Sequence, residues 1–545
     1  MDAKFRNPSA NSLLIVDDLR DSQMILKRML NALGYEKIEI VDSAEAALKL
    51  PQFDDGEGFD IILSDYNMGE RMNGQQFLEE LYARDLIGRQ TLFLMATAET
   101  SREMVLGALE CRPDDYIAKP FNQVTIEKKL NRLLKEKSLL KPVLEADAKG
   151  QREQAASQCK AIIDGQESPS IKLLRFYADL LLSYGELEKA HGAYDRCMPS
   201  NPPDWARYGM AQALHGLGQE EQAVEILESL VDTATTEMQV YDLLADIQLK
   251  RLAPSLAQKA LEQGVSLSPN TYARQKVYSQ LCLDNGDTDK AVRACKHVIK
   301  LGRFTSRASQ VSMVELAQAQ MVHAQQLNRP EDKRKIVAEA NRHLKSALEG
   351  DNVDDWVRVS QFIGQAIEAR ENDQRPQADE CIDKARQLIN ATVNYQEENF
   401  TITLGCIKGL LQLNEVKTAN QIIRKLGVVY ENQEAAINRI DRVSSEPISA
   451  QGRARLAKIN SEGAALYKSR DYKGSMKIFN QGIEVFPNCL EFHLNYVMSA
   501  LGHFGEYPDD MEIKDICRQR LDFVSSIDSE RHHAERVTKM RGRLN

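Results

Sequence analysis

The chain has 545 residues, 43% of them hydrophobic, and a formal net charge of −10. That length calls for more than one domain. The acidic balance, with Lys and Arg interleaved among Asp and Glu, argues against a nucleic-acid binder, which shows a basic domain or stripe. No stretch reaches the ~18 uninterrupted apolar residues of a membrane span, so no membrane insertion is expected.

The first eight residues lack the apolar core of a secretion signal, which points to the cytoplasm. Nine cysteines are scattered from Cys111 to Cys517 without a Cys-x-x-Cys pair, as expected of reduced thiols. In chain order, the first elements are short apolar runs, each ending in a polar group near its carboxyl end. Leu13-Leu14-Ile15-Val16 ends in Asp17-Asp18, and Ile61-Ile62-Leu63-Ser64 in Asp65. Leu92 to Ala96 ends in Thr97, and Asp115-Tyr116-Ile117-Ala118 in Lys119-Pro120-Phe121. Runs that are apolar on both faces read as central parallel strands. In an open parallel α/β sheet the chemistry sits outside the carboxyl ends of the strands. Three Asp, one Thr and one Lys should therefore converge on one crevice. Clustered carboxylates suit Mg²⁺, and a Lys and a Thr suit phosphoryl oxygens. A carboxylate beside Mg²⁺ can act as a nucleophile and form an aspartyl phosphate.

This segment resembles the receiver domain of two-component response regulators, through the acid pair, the acceptor Asp, Thr97-Ala98, the aromatic Tyr116 and Lys119-Pro120-Phe121. The resemblance implies a flavodoxin-like, doubly wound five-stranded parallel sheet of order 2-1-3-4-5. It implies that Asp18 ligates Mg²⁺ and that Asp17 does so directly or through water. Asp65 is then the phosphoacceptor and metal ligand, and Asn67 gives the metal its backbone carbonyl. Lys119 pairs with Asp65 or the phosphoryl group, while Thr97 and Tyr116 are the switch residues. The pair Asn67 and Glu99 resembles that of chemotaxis receivers, and short polar or acidic groups there leave room for attacking water. A short-lived phosphoryl state is expected. One departure stands out: Gly69 occupies the family's Pro position, with one residue inserted before Gly74, and a looser loop is expected there.

Beyond Asn122 the pattern is helical. A helix from Val124 to about Leu139 closes the first domain, with Pro142 and Gly150 as punctuation. Small residues then recur at a period of about 34, at Ala156, Ala190, Ala223, Ala257 and Ala291. Gly185, Gly218 and Gly286 fall at the turns, and Tyr194, Leu227 and Leu261 one helical turn past their anchors. Two packed helices need small residues where they cross and large ones to grip the next pair. This resembles the tetratricopeptide repeat family, although its early Trp is missing and Trp205 and Trp356 are out of phase. The expected organisation is a receiver at 1–137, tetratricopeptide-like repeats at 138–302 and degenerate repeats at 303–545, with the last clear repeat at about 456–489. The fold class is thus an α/β receiver followed by an all-α solenoid.

No phosphate loop, nucleophile elbow or His-Glu-x-x-His is present, and no helix-turn-helix can be separated from the repeats. The expected function is a bacterial response regulator that receives a phosphoryl group on Asp65 from a sensor histidine kinase or phosphotransfer protein. It would signal through protein partners of its repeats, without an enzymatic output. Arg175, Arg207 and Gln275 are candidate contact residues on the first helices of repeats. The alternatives are a phosphate drain between a kinase and another regulator and, less favoured, a divergent nucleic-acid reader; a homodimer stays open. The basic stretch from Arg531 to Arg543 reads as a solvated helix end.

Overall fold

Five short strands pair in parallel: β1 Ser12–Val16, β2 Lys37–Val41, β3 Ile61–Asp65, β4 Leu92–Thr97 and β5 Asp115–Ala118. Their order is β2-β1-β3-β4-β5, the doubly wound arrangement. The computed structural model describes residues 8–544 apart from 57, 70, 99–105, 107–109, 111, 199–200, 304–309, 350–352, 392–394, 506, 508–509 and 528–531.

Strands buried on both faces send alternate side chains into two cores. Leu14, Val16, Ile62, Phe93 and Met95 meet α2 (Ala44–Ala47) and α4 (Gly74–Ala83), with α3 (Pro51–Asp54) beside them. Leu13, Ile15, Ile61, Leu63, Leu92 and Leu94 meet α1 (Arg20–Ala32) and α5 (Gln123–Ala148) on the other face.

Helix α5 differs from expectation. It does not stop near Leu139 but continues through Pro142 to Ala148. Pro142 removes one intrahelical hydrogen bond. Beyond it, however, Val143 and Ala146 are buried among Ala155, Cys159, Ile163, Leu173 and Leu180, and that burial sustains the helix. One helix thus packs on the sheet at Leu130 and Leu133 and on the first repeat at Val143.

The chain forms two compact units. The first is Met1–Ile247, Lys259–Arg274 and Leu301–Ala308; the second is Gln248–Gln258, Gln275–Lys300 and Ser309–Asn545. After α5 come α6 (Arg152–Asp164), α7 (Ile171–Ser183), α8 (Leu187–Asp195), α9 (Asp204–Gly216) and α10 (Glu220–Asp232). Next are α11 (Gln239–Lys250), α12 (Pro254–Leu267), α13 (Tyr272–Asp284) and α14 (Thr288–Gly302). These are the helix pairs of a tetratricopeptide-type solenoid. Gly185, Gly218 and Gly286 take positive φ of 76, 76 and 80° in the turns, which is why glycine recurs there. Ala190, Ala223, Ala257 and Ala291 are fully buried as the repeat requires. In the first repeat the buried alanine is Ala155, not Ala156, so the anchor shifts by one residue. Tyr194 is buried against Gly209, where a Cβ would come within 2.2 Å of its ring.

The second unit continues with α15 (Gln310–Gln325), α16 (Pro330–Ala347), α17 (Asp355–Glu371), α18 (Arg375–Ala391), α19 (Phe400–Gln412), α20 (Val416–Val429) and α21 (Glu434–Val443). They share one core in which Trp356 is fully buried. Then come α22 (Ala450–Lys468), α23 (Tyr472–Val485), α24 (Leu490–His503), α25 (Met511–Ile527) and α26 (Ala534–Leu544). Residues 444–449 separate α21 from α22. Helix α26 is no merely solvated end: it buries Val537, Met540 and Leu544. Its Arg536 bonds Glu491 and Asn495.

Candidate functional site

Parallel register makes the strand ends level. Val16 faces Ser64, Asp65 faces Ala96, and Thr97 faces Ala118. The residues that follow β1, β3 and β5 therefore meet above one edge. Asp17, Asp18 and Asp65 each bring a carboxylate oxygen within 4.8 Å of the others. Lys119 Nζ lies 2.8 Å from Asp65 Oδ2 and 2.9 Å from Asp17 Oδ2.

Asp17 is held from every side. Its Oδ1 accepts the Leu19 N–H at 2.9 Å, and its Oδ2 accepts the Ser22 hydroxyl. Gln23 donates to its carbonyl at 2.6 Å. Ser22 and Gln23 were not marked by the sequence reading; both lie in the first turn of α1, which a strand-to-helix junction after the acid pair could have flagged. Burial raises the pKa of Asp65, and Asp17 adds to this, while the hydrogen bond and charge of Lys119 oppose it. Burial alone would lower the pKa of Lys119, but its two carboxylates outweigh that and raise it. Lys119 therefore stays an ammonium.

One ammonium does not neutralise three carboxylates. Asp18 is exposed and leaves an approach from solvent. Hard oxygen donors with surplus negative charge and one open side fit a small divalent cation such as Mg²⁺.

Thr97 closes β4, half-buried, one residue beyond the partner of Asp65. Tyr116 is half-buried on β5 and packs against the α4 side of the sheet. Asn67 is exposed, and its side chain accepts the Gly69 N–H at 3.3 Å. Glu99 lies outside the described residues.

Gly69 takes φ +71°, which proline cannot adopt, so the exchange redirects the backbone after Asp65. Met68 and Met72 are each 1% exposed. The Met72 N–H donates to Glu45 at 3.0 Å, and Asn73 with Gln76 forms a capping box on α4. Gly74 follows, and a Cβ there would stand 2.4 Å from the Asp65 carbonyl oxygen. Gly74→Ala is expected to destabilise the first unit by about 1–3 kcal/mol, the usual cost of overpacking, and to lower its thermal midpoint.

Of the candidate contact residues, Arg175 stacks over Trp205 at 4.9 Å and pairs with Asp179. Arg207 bonds Ser229, and Gln275 is 6% exposed. All three are engaged internally or buried. The eight cysteines among the described residues are buried and form no disulfide with one another.

The family described as response regulator receiver domain matches residues 13–131. Chemotaxis protein CheY-3 of Vibrio cholerae is 33% identical over 121 residues, which span 22% of this chain and 89% of that protein. The chain belongs to the response regulator receiver family. Chemotaxis protein CheY of Pseudomonas aeruginosa is 30% identical over 121 residues, 22% of this chain and 94% of that protein. The receiver thus accounts for the sheet and its flanking helices. The C-terminal part of a TPR repeat-containing protein from Cytophaga hutchinsonii is 12% identical, covering 49% of this chain and 98% of that one at a TM-score of 0.31. No helix among the described residues is long and apolar enough to cross a membrane.

Proposed function

We propose that the protein is a two-component response regulator whose receiver takes a phosphoryl group on Asp65 from the phosphohistidine of a sensor kinase or phosphotransfer protein. The single observation that supports this most is Lys119 bridging Asp17 and Asp65, with Asp18 open beside them. An Asp65 carboxylate oxygen attacks phosphorus as the P–N bond to histidine breaks, and the imidazole leaves with a proton. Asp17, Asp18, Asp65 and the Asn67 carbonyl would hold Mg²⁺, which when bound neutralises phosphoryl oxygens. Lys119 exchanges its carboxylate partner for a phosphoryl oxygen. Thr97 hydrogen-bonds another, and Tyr116 moves with it, which gives the two states their differential contacts. The receiver is 1–137, and the helices of 138–545 carry the output as a protein-binding solenoid in the cytoplasm, with no enzymatic chemistry of their own.

Asn67 is exposed at the mouth of the site, so hydrolytic water has access. The test is labelling by a small radioactive phosphodonor with Mg²⁺, followed by decay after donor removal. Decay within minutes is expected, and Asn67→Arg and Glu99→Arg should slow it by obstructing water. Retention for hours, unchanged in both variants, would overturn the short lifetime; absence of any label would overturn the receiver chemistry.

A further inference from the structure

Leu106 and Glu110, between β4 and β5, each have helical backbone and are four positions apart, the spacing of two side chains on one helix face. Both are seated on the repeats of the same compact unit. Leu106 is 2% exposed and packs with Met238 and Tyr241, with Val231 and Leu267 around them. Glu110 enters a polar socket. Its Oε2 accepts the hydroxyls of Ser268 at 3.0 Å and Thr271 at 2.7 Å. Its Oε1 pairs with Arg274 Nη2. Gln239 donates to the Glu110 carbonyl at 3.0 Å, and Arg112 meets Glu237 at 3.3 Å on the rim.

The socket is built without its occupant. The Arg274 side chain is fully buried, and Asp242 holds it through two hydrogen bonds of 2.7 Å. Withdrawal of Glu110 therefore leaves the guanidinium paired, and the penalty of an uncompensated buried charge does not arise. Gly264 leaves the passage for this arginine: a Cβ there would lie 2.9 Å from Arg274 Cδ and from Tyr241 Cβ. Against this prepared site the segment contributes one apolar side chain, one carboxylate and a rim pair. An apolar anchor at i and a carboxylate at i+4 match the spacing with which an amphipathic helix docks in a groove.

We propose that this groove, formed by Met238, Tyr241, Asp242, Ser268, Thr271 and Arg274, is a helix-binding site of the solenoid, closed in this structure by the receiver's own segment. Its occupant in trans is a partner protein's amphipathic helix that presents an apolar residue and, four positions on, a carboxylate. The apolar anchor fills the Met238–Tyr241 surface, and the carboxylate takes the place of Glu110 on Ser268, Thr271 and Arg274. The proposal does not depend on the chemistry at Asp65.

The probe is a fluorescein-labelled peptide with the sequence of residues 101–113, titrated by anisotropy into the full-length protein. Glu110→Arg sets a cation against Arg274, and Leu106→Asp removes the apolar anchor, so each opens the groove independently. Both variants should bind the peptide about tenfold or more tightly than wild type, because the tethered segment competes at high effective concentration. Peptides carrying Asp in place of the Leu at 106, or Arg in place of the Glu at 110, should not bind the opened variants. Equal binding to wild type and both variants would overturn the proposal, as would no binding to either. Loss of helical circular dichroism in both variants would also overturn it, since the segment would then be core rather than an exchangeable occupant.

Discussion

Asp65→Asn is expected to bring phosphate incorporation from a small phosphodonor below detection while leaving the fold intact. An amide is neither an anionic metal ligand nor a competent nucleophile. The neighbouring carboxylates do not replace it. Asp17 is 1% exposed and committed to Leu19, Ser22 and Lys119. Asp18 is exposed, follows β1 and is the solvent-facing member of the acidic cluster. Two companion variants separate metal binding from transfer. Asp18→Ala should weaken Mg²⁺ binding in calorimetry, because one of three clustered charges is gone. Lys119→Ala should do the opposite, roughly tenfold or more tighter, since three carboxylates then face the cation without a competing ammonium. The same variant should still transfer phosphate poorly. Labelling of Asp65→Asn at wild-type stoichiometry would show that another residue is the acceptor.

The ends of β1, β3 and β4 were legible because each of these strands is short, apolar on both faces and closed by a polar residue. Parallel register then converts the ends of three strands into one site, as Asp17, Asp18, Asp65 and Lys119 show. The repeat was legible for a related reason: a 34-residue period forces the same small residue into every crossing. The single slip, from Ala156 to Ala155, falls in the first repeat, where α5 is shared with the receiver and the local frame is set by Val143 and Ala146. Pro142 misled because its local cost is visible in the sequence and the burial that offsets it is not. At Gly69 the residue type allowed a positive φ, but its place between two buried methionines was not visible in the sequence. The socket for Glu110 carried no signal. Arg274 lies 164 residues away, and a buried arginine in a helix reads like any surface one until its partners are placed around it.

The same is true of the second unit, where Asp284→Asn is expected to be strongly destabilising. Asp284 ends α13, and its side chain is only 13% exposed. Its Oδ1 meets Lys408 of α19 at 2.8 Å, and its Oδ2 meets Arg439 of α21 at 3.1 Å. Arg442 donates to its main-chain carbonyl at 3.0 Å and to Asn285 at 2.9 Å. The carboxylate thus joins two cations, with the Arg442 guanidinium on the neighbouring main chain, all from helices more than a hundred residues further on. Removing it leaves a buried excess of positive charge, which costs about 3–5 kcal/mol. For a unit of this size that is a fall on the order of 10 °C in the thermal midpoint of the second unit. The pH dependence follows from the same cluster. Burial alone would raise the Asp284 pKa, but Lys408, Arg439 and Arg442 overcome it and hold the carboxyl well below the usual carboxylate range. A depressed folded value means that the contribution is fully present above the unfolded value, about 3.9, and is lost as pH falls below it. Calorimetric scans at pH 7 should show the full gap between wild type and Asp284→Asn, and the gap should narrow only below about pH 4. Coincident midpoints at pH 7 would mean that the cluster holds nothing together. A gap that closed already between pH 7 and 5 would place the titration on another group.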